Sequence, residues 1–308
     1  MKLQQLRYIV EVARQGLNVS DAAEALYTSQ PGVSKQIKLL ENELGVTIFE
    51  RSGKRFTGIT EPGHAILEGA ERILREAENL KRLGKDHASG DSGALVLAVT
   101  HNQARYVLPT IIQTFVAHYP RVELALRQGT PAQIAEWVEN GGADIGIATE
   151  GLDDKPGLVT LPVRQWHYCV IAPTGHPILK IRHLALSSLV RWPLIVTDSI
   201  GINAAFQRQE LEPQIALTAL DADVIKTYVA LGLGLGIIAD FAFDPTRDTG
   251  LVNIAAAHLF ESNTTRLGLR RGVFLRRFEY DFIQLFAPHL DRHAVERTLQ
   301  GGGESYQL

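Results

Sequence analysis

The sequence predicts a multidomain α/β protein, with a small helical domain at the N-terminus, one long helix, and two α/β lobes in the rest of the chain. Residues 1–60 have the pattern of short amphipathic helices closed by a hairpin, and residues 62–84 that of one long helix. From Leu95 onward, apolar strands alternate with helices. A chain of 308 residues is long enough for two or three domains.

The composition excludes several classes of protein. The single cysteine, Cys169, cannot form an intrachain disulfide, and a thiolate metal site needs more cysteines. No apolar run approaches the ~20 residues that span a bilayer, and the N-terminus lacks a signal-peptide pattern, so we expect a cytoplasmic protein without a membrane partner. The net charge is −3, so any DNA binding must depend on a local basic patch.

Residues 1–60 have the pattern of a helix-turn-helix domain. Ser20 is the expected cap of one short helix, and Ser29 caps a second helix that Gly45 ends. One apolar stripe of the second helix is expected to face the core: Val33, Ile37, Leu40 and Leu44. The opposite face is polar and basic: Pro31, Lys35, Lys38 and Asn42, flanked by Gln30 and Ser34. The N-terminal end of such a helix contacts base edges in the major groove.

A basic hairpin follows this helix and is expected to form a wing. Its turn is Ser52-Gly53, and its tip carries Arg51, Lys54 and Arg55. Cations at this place suit backbone phosphate or the minor groove. The alternative is an ordinary helical domain with a solvated basic face.

These segments together resemble the winged helix-turn-helix of LysR-type transcriptional regulators. The resemblance is carried by SDAAEAL at 20–26, then TSQPGVSKQIKLLENELG at 28–45, IFER at 48–51 and T-x-x-G at 60–63. It implies double-stranded DNA with paired half-sites as the partner. The DNA-contacting residues that it implies are Thr28, Ser29, Gln30, Pro31, Ser34 and Lys35, with Arg51 and Lys54 in the wing.

The helix predicted over 61–84 has an apolar seam with heptad spacing. Its members are Ile66, Ala70, Ile73, Ala77 and Leu80. We expect this seam to pair two chains in a homodimer, or in a homotetramer of such dimers, and two copies would present two recognition helices to paired half-sites. Packing of the helix on its own domain is the alternative. The polar, Gly-containing residues 85–93 are the predicted hinge.

The remaining residues, 94–300, are predicted to form two α/β lobes, with a parallel sheet in the first strand–helix–strand–helix–strand segment. They resemble the effector domain of LysR-type regulators, which shares its fold with periplasmic binding proteins. The resemblance implies a ligand in the cleft and two crossings between the lobes, near 162–167 and 262–267. The expected boundaries are lobe I at about 94–162 and 267–300, lobe II at about 163–266, and a disordered tail at 301–308.

The turn after the first strand of this domain is a candidate anion site. Thr100, Asn102 and Gln103 lie where the first amides of a helix are unpaired, and Thr149 ends another strand at the same sheet edge. Ordinary helix capping by Thr or Asn is the alternative.

Motifs along nearly the whole chain resemble the CysB/Cbl branch of sulfur-assimilation regulators, among them THNQARY, QGTPAQIAE, ADIGIATE and DADVIKTYVALGLGLG. The branch implies an effector site at Thr100, Asn102, Gln103, Thr149, Trp166 and Ser199. Asn102 stands where the branch has Thr, and a shorter loop leaves Ser199 to supply a hydroxyl. The implied effector is sulfate, an acetylserine-type molecule or a sulfated nucleotide.

We therefore expect a regulator of sulfur-metabolism genes that has no enzyme activity, cofactor or metal. Motifs for hydrolases, P-loops and zinc proteases are absent from the sequence, and His289 and His293 lack a third ligand. The alternative within the class is a regulator of sulfonate or sulfate-ester utilisation that senses sulfate or a sulfated nucleotide instead of an acylated serine. A solute-binding protein is a rival of another class, which the missing signal peptide and the N-terminal domain disfavour. An α/β enzyme with a helical appendage is a second rival.

Overall fold

The structure is a computed structural model that describes residues 1–53, 55–89, 91–197 and 200–300. The chain divides into two compact units between Ala88 and Ser89. Within the described ranges, no helix is both long and apolar enough to cross a membrane. Lys54, Ser199 and the predicted tail at 301–308 lie outside the described residues.

The first unit is a winged helix-turn-helix followed by a long helix. Its elements are α1 (Leu3–Arg14), α2 (Val19–Ala25), α3 (Gln30–Leu44), β1 (Phe49–Ser52), β2 (Arg55–Ile59) and α4 (Glu61–Ser89). The strands β1 and β2 pair antiparallel and form the wing.

Local capping chemistry sets the ends of the two central helices. Ser29 caps α3 by accepting a hydrogen bond from the Gly32 N–H at 3.3 Å, and Gly45 ends the helix in the left-handed region at φ 72°, which confirms both predictions. The predicted cap at Ser20 is wrong. The Asn18 side chain accepts from the N–H groups of Ser20 and Asp21, so the helix begins earlier.

The core of the first unit contains most of the predicted stripe of α3. Val33, Ile37 and Leu40 are fully buried and pack with apolar residues of the other helices. Leu44 is 40% exposed, so its assignment to the core is wrong. Glu41 of the same helix is also buried, because its carboxylate accepts a hydrogen bond from the Ile48 backbone N–H, just before the wing.

The long helix continues beyond the predicted end at residue 84. It runs to Ser89, and the first strand of the second unit begins at Ser92, inside the predicted hinge at 85–93. The polar segment after Gly84 contains Lys, Asp, His and Ala, which a helix accommodates.

The second unit contains two α/β lobes. Lobe I begins with β3 (Ser92–Val99), a π-helical turn (Gln103–Val107), α5 (Leu108–His118), β4 (Arg121–Gln128), α6 (Pro131–Glu139), β5 (Ile145–Ala148) and β6 (Leu158–Trp166). Lobe II follows with β7 (Tyr168–Pro173), α7 (Leu186–Leu189), β8 (Leu194–Val196), α8 (Ile200–Arg208), β9 (Ile215–Thr218), α9 (Ala222–Ala230), β10 (Leu235–Ala239) and β11 (Leu251–Ala255). The chain returns to lobe I with β12 (Asn263–Arg270), α10 (Arg277–Phe286) and α11 (Arg292–Leu299).

Each lobe has a five-stranded mixed sheet, in the order β4-β3-β5-β12-β6 in lobe I and β11-β7-β10-β8-β9 in lobe II. The predicted parallel pairing of the first three strands of lobe I is confirmed, but each sheet also contains antiparallel strands. β3 runs parallel to β4 and β5, but β12 is antiparallel to β5 and β6 because it enters from the other lobe. In lobe II, β7 is likewise antiparallel to β10 and β11.

The crossings between the lobes lie close to the predicted places. β6 stays in the sheet of lobe I as far as Trp166, and β7 begins lobe II at Tyr168. The return falls between Ala255 and Asn263. The two strands of lobe I that lead into the crossings, β6 and β12, extend beyond the predicted lobe boundaries, because they remain paired as far as Trp166 and Asn263.

Candidate DNA-binding surface and effector cavity

The outward face of α3 is open to solvent as predicted. Gln30, Pro31 and Lys35 are exposed, and Ser34 is half-buried beside them. The Gln30 amide donates to Ser34 Oγ at 3.4 Å, a long hydrogen bond that leaves both side chains able to bind other groups. Thr28 and Ser29 are exposed at the start of the same helix, although the Ser29 hydroxyl is used as its cap.

Arg51 does not point freely from the wing. Its guanidinium forms an ion pair with Glu41 at 2.5 Å and lies over the Phe56 ring, 4.8 Å from the centroid. Glu41 also accepts hydrogen bonds from the backbone N–H groups of Ile48 and Phe49. Arg51 therefore fastens the wing to α3, and its contact with phosphate remains a prediction.

One residue of this surface was missed by sequence reasoning. Tyr27, in the turn before α3, is 98% exposed and has φ 51°, in the left-handed region that non-glycine residues rarely adopt. No local signal predicts that the ring is fully presented to solvent.

The residues of the predicted seam of α4 lie in two different environments, the core of their own unit and the solvent-exposed surface. Ala70 is buried in the core of its own unit, and Ile66 is partly buried against the same core, so the assignment of Ala70 to a partner surface is wrong. Ile73 is 42% exposed and Leu80 is 70% exposed, with Ala77 half-buried between them. Leu83, 36% exposed, extends this apolar stripe.

A cavity of about 280 Å³ lies between the two lobes of the second unit. Five of the six predicted effector residues line it: Thr100, Asn102, Gln103, Thr149 and Trp166. The sixth, Ser199, falls outside the described residues. The ends of β3, β5 and β6 supply these side chains, as expected for the carboxyl edge of an α/β sheet.

Several lining residues were not predicted. The polar ones among them are His101, Gln128, Thr130, Gln133, Glu150 and Asn263 of lobe I and Thr197 of lobe II. Thr130 and Gln133 also form the capping box of α6, which is a recognisable T-x-x-Q signal in the sequence. The lining that the structure describes contains neither arginine nor lysine.

Two polar atoms in the cavity wall have no hydrogen-bond partner among the described residues. Gln103 is 2% exposed and its Nε2 donates to Thr265 Oγ1 at 2.9 Å, while its Oε1 is buried and unbonded in the described structure. The Trp166 indole N–H is also buried without an acceptor. Rings of Tyr168 and Phe241 hold the indole edge-on, at centroid distances of 5.0 Å and 5.6 Å.

A charged network joins the lobes next to the cavity. Arg105 Nε lies 3.0 Å from the Asp223 carboxylate, and the Tyr106 hydroxyl donates to the same group. The buried Lys226 forms an ion pair with Asp248 at 2.8 Å and donates to the Tyr106 hydroxyl at 3.1 Å. Lobe I contributes Arg105 and Tyr106, and lobe II contributes the rest.

This network shifts the pKa of its members. Burial, together with the hydrogen bond to Asp223, raises the pKa of Tyr106 above its ordinary value. Burial also raises the pKa of Asp223, but the hydrogen bond from Tyr106 and the charges of Lys226 and Arg105 outweigh it, so the net pKa is lowered. The charged form of Asp223 is therefore favoured in the folded protein.

Neither Cys169 nor the described acidic and histidine residues suggest metal or thiol chemistry. Cys169 is 2% exposed, and burial raises the pKa of its thiol to about 12, so it is an unreactive core residue as expected. His289 is engaged with the Pro162 carbonyl at 3.0 Å. No group of three potential ligands close enough to hold a metal ion occurs among the described residues.

The fold and site define a transcriptional regulator with a helix-turn-helix and a separate ligand-binding unit. Residues 3–64 match the family of bacterial regulatory helix-turn-helix proteins of lysR type, and residues 88–291 match the LysR substrate binding domain. The chain belongs to the LysR family of transcriptional regulators.

Relatives share nearly the whole chain. The HTH-type transcriptional regulator SsuR of Burkholderia cenocepacia is 51% identical over 97% of this chain and 99% of its own. The regulator CysB of the same organism is 50% identical over both full lengths, and the regulator cbl of Escherichia coli is 45% identical over both full lengths.

Solved structures support the architecture. The cofactor-binding domain of the Cbl transcriptional regulator has a TM-score of 0.65 and 42% identity, and covers 68% of this chain and 93% of its own. Full-length CbnR in complex with its target DNA has a TM-score of 0.52 over 93% of this chain and 98% of its own, at 23% identity, which supports the fold alone.

Proposed function

We propose that the chain regulates sulfur-metabolism genes by binding promoter DNA as a homo-oligomer and an acetylserine-type or sulfate effector in the interlobe cavity. One observation carries the proposal. A polar cavity is lined by Thr100, Gln103 and Thr149 in a chain that resembles CysB and Cbl regulators from end to end. Because the proposed partner is DNA, the site of action is the cytoplasm.

The cavity suits a small oxygen-rich ligand. Its lining offers hydroxyls, amides and the first N–H groups of the helix that follows Thr100, which together bind an anion through dipoles without a cation. Without a bidentate arginine, affinity in the micromolar to millimolar range is expected, at about −4 to −8 kcal/mol.

Cavity size favours the smaller candidates. Sites for drug-sized ligands span about 300–1,000 Å³, and this cavity of about 280 Å³ is slightly smaller than that range. Sulfate and acetylserine fit that size better than a sulfated nucleotide does. The sulfonate or sulfate-ester regulator remains the second candidate, supported by Asn102, which offers an amide where the resembling branch has Thr.

In the DNA-binding unit, the exposed face of α3 supplies the base contacts. Lys35 suits guanine O6/N7 and Gln30 suits adenine N6/N7, while Thr28, Ser29, Pro31 and Ser34 contact backbone beside them. The exposed Ile73 and Leu80 pair two α4 helices, which brings two readers to paired half-sites.

Calorimetry on the full chain tests the effector assignment. The probes are inorganic sulfate, N-acetyl-L-serine, O-acetyl-L-serine and adenosine 5′-phosphosulfate. We expect one of the first three to bind, and Gln103→Ala to weaken that binding by about tenfold, the scale of one lost hydrogen bond. The matched control is Gln113→Ala, an exposed glutamine on α5. Absence of binding by all four probes would refute the proposed effector class, and preference for the nucleotide would favour the second candidate.

A further inference from the structure

The side chain of Tyr106 reaches from lobe I into lobe II. Tyr106 belongs to the π-helical turn of lobe I, yet its ring packs against the apolar core of lobe II. Its hydroxyl accepts a hydrogen bond from the Lys226 ammonium at 3.1 Å and donates one to the Asp223 carboxylate. One side chain of lobe I is therefore held by two charged groups of α9, three residues apart.

The charged groups of lobe II are arranged to hold a hydroxyl. Lys226 is buried and pairs with Asp248 at 2.8 Å, so lobe II itself fixes the position of the ammonium. Asp223 is half-exposed and takes a second contact from lobe I, Arg105 Nε at 3.0 Å. A hydroxyl donates one hydrogen bond and accepts others at the same time. The Tyr106 hydroxyl therefore satisfies an ammonium and a carboxylate together, which a phenyl ring could not do.

This contact lies beside the effector cavity. Gln103 begins the π-helical turn and lines the cavity, whereas the residues described in the cavity wall do not include Tyr106, Asp223 or Lys226. π-helical turns of this kind occur frequently at functional sites. The turn therefore connects the cavity wall to the contact between the lobes within four consecutive residues.

The contact consists largely of groups that water can also satisfy. When the lobes separate, the Tyr106 hydroxyl, the Lys226 ammonium and the Asp223 carboxylate can each bind water, so separation leaves none of them buried and unpaired. The apolar core within each lobe has no such alternative, since its separation would expose apolar surface. The contact between the lobes is therefore suited to reversible opening.

We propose that Tyr106, Asp223 and Lys226 form a latch that holds the two lobes closed, in the arrangement where these contacts are made, before an effector binds. Tyr106 is a positioning residue, since it acts on the cavity through the arrangement of the lobes and does not touch the effector. The consequence for affinity rests on the proposed function, which takes the cavity as the effector site. A ligand that needs closed lobes binds with an apparent Kd equal to its intrinsic Kd divided by the closed fraction. The latch raises effector affinity by keeping that fraction high.

Two substitutions of Tyr106 test the latch. Tyr106→Phe keeps the ring that packs on lobe II, so the second unit is expected to fold, but it removes both hydrogen bonds of the hydroxyl. Tyr106→Ala removes the packing as well. The matched control is Tyr280→Phe, which removes a hydroxyl from another half-buried tyrosine, whose partner Glu296 lies in the same lobe.

Lobe closure is measured on the full chain without effector, as the distance between spin labels at Glu136→Cys on α6 and Ser187→Cys on α7, both exposed sites. The native Cys169 is buried and should stay unlabelled. Labelled chain is diluted with unlabelled chain so that distances within one chain dominate. We expect Tyr106→Phe to raise the ratio of open to closed lobes by about threefold to tenfold, the scale of a net hydrogen bond, and Tyr106→Ala to raise it further. Tyr280→Phe should keep the parent distance distribution.

Effector affinity is measured by calorimetry with inorganic sulfate and with N-acetyl-L-serine. For a probe that binds the parent chain, the Kd of each Tyr106 variant should rise by the factor by which its closed fraction falls. Tyr280→Phe should bind that probe like the parent chain. Agreement of the two factors distinguishes control by lobe closure from general damage to the cavity, which would change the Kd without changing the distances.

Each result decides part of the proposal. Mostly open lobes in the parent chain, parent distances in both Tyr106 variants, or equal opening in Tyr280→Phe would refute the latch. If Tyr106→Ala opens the lobes and the Kd stays at the parent value, lobe closure does not control affinity and that consequence is overturned. If the parent chain binds neither probe, the proposed effector class fails, while the distance measurement still decides whether the latch exists.

Discussion

The recognition helix and the interlobe region use similar polar residues in opposite surroundings. On α3, Gln30 and Lys35 are exposed, and Gln30 forms one long hydrogen bond within its own helix. Between the lobes, Gln103 and Lys226 are buried and bonded to residues more than a hundred positions away. Substitutions on α3 should therefore alter DNA affinity and spare folding, whereas those between the lobes should alter stability as well as effector binding.

The largest effect is expected from Lys226→Met. Removing the ammonium leaves the nearly buried Asp248 carboxylate without its 2.8 Å partner, which should destabilise the effector unit by about 3–5 kcal/mol. Chemical denaturation of the full chain, followed by a probe in each unit, measures this. Lys155→Met is the control: its pair with Glu139 is half-exposed, so less than about 1 kcal/mol should be lost. Equal losses in both variants would contradict the difference in burial.

The next effect concerns assembly through α4. Ile73→Asp places a charge in the exposed part of the apolar stripe, where pairing would bury it without a partner. We expect sedimentation to show dissociation of the α4 pair and loss of tight promoter binding, with the effector unit still folded. Arg72→Asp, an exposed neighbour, should leave the assembly intact. An unchanged oligomer in Ile73→Asp would show that another surface pairs the chains.

A smaller effect is expected on the recognition helix. Lys35→Ala and Gln30→Ala should each weaken binding to a promoter fragment by about 1–3 kcal/mol, the scale of a good base contact, because each removes one donor from the exposed face. Gel-shift titration measures the affinity, and Lys2→Ala is the exposed control outside α3. The unfolding free energy should stay within about 0.5 kcal/mol of the parent value. Wild-type binding by both variants would refute the α3 assignment.

The smallest effect is a pH dependence from Asp223. Its folded pKa is below the ordinary 3.8, so its contribution to stability is present above pH 3.8 and is lost as pH falls through the folded pKa. Because the side chain is 49% exposed, that contribution should be less than about 1 kcal/mol. The parent chain and Asp223→Asn should thus differ at pH 6 and converge on acidification. A difference that grows in acid would contradict this sign.

Local chemistry explains which predictions from sequence succeeded. The predicted helix ends at Ser29 and Gly45 were correct, because a cap depends on the side chain and backbone of the capping residue itself. The predicted burial of Leu44 and the predicted partner contact of Ala70 were wrong, because periodicity gives the face of a helix but not which neighbour covers it. The end of α4 was misplaced for a related reason, since polar composition alone does not break a helix.

In the candidate site, too, the sequence predicted what depends on local structure and missed what depends on distant segments. Thr100, Gln103 and Thr149 could be placed together because parallel strands end at one sheet edge. The hydrogen bonds from the Ala222 N–H to Asn102 and from Gln103 to Thr265 could not be predicted, since each joins segments over a hundred residues apart. The same holds for the wing, where the sequence predicted Arg51 as a cation for DNA but did not show that Glu41 forms an ion pair with it.

The central claim is that effector recognition and DNA recognition reside in separate units of one regulator. A promoter gel-shift and transcription assay of Thr100→Val, with and without N-acetyl-L-serine or sulfate, tests it most directly, with the exposed Thr110→Val as control. We predict that Thr100→Val keeps promoter affinity and loses the effector response, because one hydroxyl in the cavity contributes about 1.5–3 kcal/mol to binding an anion. An unaltered dose–response in Thr100→Val would contradict the account.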